Sequence, residues 1–139
     1  MEESKIDMFL LSRGDYFPAD SIMFIKERLT FLDNDRWSIL STLSFRNPTT
    51  ALLISVGAGI LGVGRFYLGQ PLLGILKLAL IIVFYISYIA CMFNDDFSVI
   101  MLICGVSLIA ALIWWIVDLF LIPNTTRSIN YNKLLTFIN

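Results

Sequence analysis

From Asn47 to Ile122 the only charged side chains are Arg65, Lys77, Asp95, Asp96 and Asp118. A soluble domain must cover its core with polar surface. A chain of 139 residues that is 58% hydrophobic and only 15% charged, with a mean hydropathy of +0.80, lacks the residues to do so. The stretch therefore reads as lipid-facing. Prolines divide it: Pro48 precedes a first apolar segment, Pro71 opens a second and Pro123 follows a third. Proline fits a first helical turn and ends a helix beyond its last. The segments 49–68, 71–93 and 98–122 each supply the roughly 20 residues that a bilayer core of about 30 Å requires. The polar link Asn94-Asp95-Asp96-Phe97 is short enough to make segments two and three an antiparallel hairpin.

The expected fold class is all-α, an integral membrane protein of about three apolar helices preceded by a short N-terminal helical hairpin. Three regions follow: 1–47, amphipathic and expected in the cytoplasm; 48–122, the membrane domain; and 123–139, a short tail able to lie along the membrane surface. In the first region Gly14-Asp15 is a turn signal, and Pro18-Ala19-Asp20 starts a helix whose Ile22, Ile25, Leu29 and Leu32 form one apolar stripe. Asp33-Asn34-Asp35 ends it and caps a second helix through Trp37, Leu40 and Leu43. The apolar patch from Met8 to Leu11 is too short for the core of a signal peptide. Helices 19–44 offer that stripe to a protein partner.

Within segment one, Ala51, Ser55 and Gly59 recur every four residues, with Ala58 and Gly62 beside them. Small residues at this spacing let helix backbones approach closely in lipid, so Ala51, Ser55, Ala58, Gly59 and Gly62 are read as a helix-packing face, within the protomer or between copies. Arg65, Lys77 and Asp118 lie toward one membrane face. Counted along antiparallel helices, their heights differ by only about 6 Å, which predicts an intramembrane charge cluster. Such a cluster is either an internal salt bridge or a site for an ion, a proton or a lipid headgroup. Three full crossings are expected from segment length. A first segment that dips in and returns would instead keep every Lys and Arg on one side, which the positive-inside tendency favours.

Several function classes fall away. The sequence has no His, Cys91 and Cys104 lack metal or redox spacing, and no nucleophile elbow or P-loop is present, so no catalytic residue, metal site or cofactor is assigned. A net charge of −1 without a basic run excludes nucleic acid as a partner. The expected role is a non-enzymatic membrane module that packs with membrane lipid and with a homo-oligomer or another membrane protein. An ion-conducting or membrane-permeabilising oligomer is the alternative.

The string Gly59-x-x-Gly62-x-x-Arg65-Phe66-Tyr67-Leu68-Gly69, then Gly74-Ile75-Leu76-Lys77-Leu78, then Trp114-Trp115-Ile116-Val117-Asp118, resembles the TM-two domain, a module of two transmembrane helices found in bacteria and animals. The N-terminal stretch from Tyr16-Phe17 to Pro48 looks like that of bacterial members, which implies a bacterial inner membrane. The resemblance makes Arg65, Phe66, Tyr67, Leu68 and Gly69 the family motif and implies no catalytic residue. Gly64 stands where members usually have Asp or His before the Arg-Phe pair.

Overall fold

The computed structural model describes residues 2–93 and 98–138. Among them every regular element is helical: α1 (Glu2–Arg13), α2 (Ile22–Thr30), α3 (Asn34–Thr42), α4 (Pro48–Ala58), α5 (Val63–Tyr67), α6 (Pro71–Phe93) and α7 (Ser98–Ile138), with 3-10 turns at Gly14–Tyr16, Ala19–Ser21 and Gly59–Leu61. The chain divides into a terminal unit, made of the residues up to Pro48 and those from Pro123 onward, and a membrane unit, Thr49–Ile122.

The terminal unit is a helical cluster around Ile6, Phe17, Ile25, Leu29, Leu32, Leu40 and Leu134, all buried. The α2 stripe expected to await a partner is thus covered by the chain's own residues, with Ile25, Leu29 and Leu32 inside this core. Helix α1, read from sequence only as a short apolar patch, supplies Ile6, Phe9 and Leu10 at the i, i+3, i+4 spacing that builds one face. Arg13, in its last turn, suits the helix dipole. Asn130, 1% exposed, ties the ends of the chain together: its Nδ2 donates to Tyr16 O (3.0 Å) and Arg46 O (2.8 Å), and its Oδ1 accepts from Arg46 N (2.9 Å). On the surface Lys26 Nζ donates to Asp7 Oδ1 at 2.8 Å. That hydrogen bond, and then the charge of Asp7, raise the Lys26 pKa above its ordinary value.

Pro123 does not end its helix. Helix α7 runs on to Ile138 with Pro123 inside it. A proline forfeits one helical hydrogen bond and crowds the preceding turn. Beyond it, however, Thr126, Asn130 and Leu134 recur every four residues and are all buried in the terminal unit. Burial of that stripe, together with the Asn130 bonds, offsets the local cost, so the tail is a packed helix rather than a surface-lying one.

In the membrane unit, α6 and the apolar part of α7 are the two helices, among the described residues, long and apolar enough to cross a bilayer. At 23 residues α6 rises about 34 Å. Lys77 of α6 meets Asp118 of α7, while Leu80 and Val83 face Leu102, Ile103 and Val106, so the two helices run antiparallel. The link 94–97 lies outside the described residues. Segment one is not a single span: α4 covers 11 residues, about 16 Å, before the 3-10 turn and the short α5. Gly62 makes the break, with φ of 80°. This left-handed conformation costs little only for glycine.

Of the three apolar segments, two form helices of spanning length among the described residues, while segment one is broken at Gly62. Residues before Pro48 and after Pro123 belong to one packed unit.

Candidate functional site

The site begins with the turn around Gly62. Its N–H donates to Gly59 O (3.0 Å), closing the 3-10 turn, and its carbonyl accepts from Arg65 N (2.9 Å) and Phe66 N (3.3 Å), opening α5. Five residues later α5 stops at a Schellman cap. Gly69 adopts φ of 75° and donates to Phe66 O (3.0 Å), and Gln70 N–H reaches back to Arg65 O (2.9 Å). The cap folds Gln70 over Arg65, so that Arg65 Nη1 donates to Gln70 Oε1 at 2.8 Å. The Arg65-to-Gly69 string is thus a one-turn helix with its own terminator, and it aims one guanidinium.

That guanidinium meets Asp118. Arg65 Nε donates to Asp118 Oδ1 at 3.1 Å, and Arg65 Nη2 bonds the same oxygen. Lys77 Nζ donates to the other oxygen, Oδ2, at 2.7 Å. Lys77 is 0% exposed, Asp118 1% and Arg65 7%, so the network is shielded from solvent by protein alone. It joins α5, α6 and α7 through one carboxylate. Two cations share one anion, leaving a net +1. Among the described residues, no buried side-chain nitrogen or oxygen lacks a hydrogen-bond partner. In low dielectric an ion group persists when its members are paired and hydrogen-bonded in this way.

The small residues of segment one close the other side of the unit. Ala51, Ser55, Gly59 and Gly62 are buried, and Ala58 is half-buried. Trp115 Nε1 donates to Ser55 O at 2.8 Å, and a Cβ on Gly59 would sit 3.1 Å from the Trp115 ring. A Cβ on Gly62 would sit 2.7 Å from Gly74 O. The small-residue face is therefore occupied by α6 and α7 of the same protomer. At Gly64 a Cβ would collide with Ser55 Oγ and come within 2.9 Å of Ile122 Cδ1, so there is no room for the Asp or His that the resemblance leads one to expect.

Of the motif residues, Arg65 and Leu68 are buried, Tyr67 is half-buried, and Phe66 is 43% exposed with its ring against Gly74. Cys91 and Cys104 are free and half-buried. Sequence reasoning missed Gln70 as the fourth member of the network. The signal was the glycine before it, since a Schellman cap returns the next residue over the helix it ends.

No curated protein and no solved structure matches the chain. Two long apolar helices make this a membrane protein, and residues 44–93, which hold Gly62, Arg65, Gln70 and Lys77, match the family model of the TM2 domain, the family that the same string of residues resembles.

Proposed function

We propose that the protein is a non-enzymatic membrane module with both ends in the cytoplasm, crossing twice through α6 and α7, and that its lipid-facing helices bind the transmembrane helix of a second copy. The observation that carries the orientation is the packing of the two chain ends into one unit. That unit contains every Lys and Arg except Arg65 and Lys77, whereas 94–97 brings two aspartates and no base. The positive-inside tendency then favours the terminal unit in the cytoplasm. The charge network supports a lock rather than a reactive centre, because Arg65, Lys77 and Asp118 are each already paired within it.

Because the small-residue face is used within the protomer, association falls to the outer faces of α6 and α7. An apolar groove of about 330 Å³ opens between them, lined by Leu80, Val83, Leu102, Val106, Ser107 and Ala110. Small Ser107 and Ala110 on its floor let a second helix approach, the condition for packing in lipid. The test uses single cysteines at Val83 or Val106 in a Cys91→Ala/Cys104→Ala background, crosslinked in native membranes. Crosslinked dimers at both positions, and none at Phe120, are expected. Monomer alone at every position refutes self-association.

A further inference from the structure

The terminal unit contains a cleft of about 470 Å³ between α1 and α3, a volume within the range of small-molecule sites. One wall is the α1 stripe Lys5, Phe9 and Arg13, four residues apart, and the other carries Asn34 and Trp37 of α3. Among the described residues no acidic side chain lines it. Lys5 is exposed and forms no ion pair among the described residues. Arg13 lines the cleft; its guanidinium lies 6.0 Å from the Phe9 centroid and 5.7 Å from that of Phe45 and spends one N–H on Leu43 O at 3.1 Å, so further N–H donors remain on this side chain. Phe9 and Trp37 meet edge to face at 6.3 Å and form an aromatic floor, and Met8, 67% exposed, stands at the rim. Two cations without an acid, over an aromatic floor, fit an anion joined to an apolar group. An ammonium, a guanidinium and an amide suit the several oxygens of a phosphate.

We propose that this cleft binds a phosphate group carried on an apolar body. A phospholipid headgroup with its first acyl carbons has this chemistry, and so does a soluble aryl phosphate.

The test is isothermal titration calorimetry on the full chain in neutral phosphatidylcholine nanodiscs. The probes are dihexanoyl phosphatidic acid, phenyl phosphate, inorganic phosphate and dihexanoyl phosphatidylcholine. Saturable binding of phosphatidic acid or phenyl phosphate, tighter than that of the last two, is expected, and the tighter of the first pair identifies the source. Lys5→Glu and Asn34→Asp each reverse or add a charge in the cleft and are expected to weaken that binding about tenfold or more. Neither change threatens the fold, since Lys5 is exposed and an acid suits the first turn of α3. The proposal is overturned by absence of saturable binding, by inorganic phosphate binding as tightly as both apolar probes, or by affinity that both variants leave unchanged.

Discussion

Removing the Asp118 carboxylate is the most informative perturbation of the membrane unit. Among the described residues Asp118 is the one anion paired with two buried cations, accepting from Arg65 Nε, Arg65 Nη2 and Lys77 Nζ. Asp118→Ala leaves Arg65 and Lys77 facing each other without it. Stranding one buried charge costs about 3–5 kcal/mol, so this variant should lose at least about 4 kcal/mol. Arg65→Ala should lose less, about 2–3 kcal/mol, because Lys77 still pairs with Asp118. Lys77→Met should lose about 1 kcal/mol or less, since it keeps the Arg65–Asp118 pair, removes the net +1 and retains the aliphatic volume. The gap between the Asp118 and Lys77 variants, about 3 kcal/mol, is on the order of a hundredfold in the folding equilibrium. Reversible unfolding by dodecyl sulfate in mixed micelles, followed by far-UV circular dichroism, measures it. Equal losses in all three variants, or a wild-type midpoint for Asp118→Ala, would refute the argument that one carboxylate holds the cluster.

Gly62→Ala places a Cβ on a left-handed residue and 2.7 Å from Gly74 O, and should cost about 2 kcal/mol or more. Gly14→Ala, at negative φ with open space around it, should be neutral or stabilising by up to about 1 kcal/mol in the same unfolding assay. Asn130→Ala removes three buried hydrogen bonds, to Tyr16 O, Arg46 O and Arg46 N, and should cost about 2–4 kcal/mol, read as faster amide exchange or proteolysis within 1–48 while α6 stays protected. Because the Lys26 pKa is raised by Asp7, the pair's contribution is present below the ordinary lysine pKa and is lost as pH rises through the raised one. Asp7→Asn should bring the Lys26 titration, followed by its side-chain NMR signals, back toward the ordinary value.

The sequence made the membrane class, helix α6 and the ends marked by Pro48 and Pro71 legible, because hydropathy and proline chemistry act locally. The meeting of Arg65, Lys77 and Asp118 could be anticipated by counting helical rise along antiparallel segments. The break at Gly62 could not be read the same way. A glycine in an apolar run has the same hydropathy whether it is helical or left-handed, and the close neighbour that leaves no room for a Cβ, Gly74, lies in another helix. Pro123 misled for the opposite reason: its local preference is real, but the buried stripe at Thr126, Asn130 and Leu134 outweighs it. Helix α1 escaped notice because its few apolar positions gain meaning only against Phe17 and Leu134, which lie elsewhere in the sequence.

Sidedness of three positions tests the two-crossing account most directly. Single cysteines at the exposed Thr30 and Asn132, and at Asp95, are placed in a Cys91→Ala/Cys104→Ala background and treated in intact cells with a membrane-impermeant maleimide. Asp95 should label from outside, while Thr30 and Asn132 should label together and only after permeabilisation. Labelling of Thr30 and Asn132 from opposite sides would contradict the even number of crossings on which the account rests.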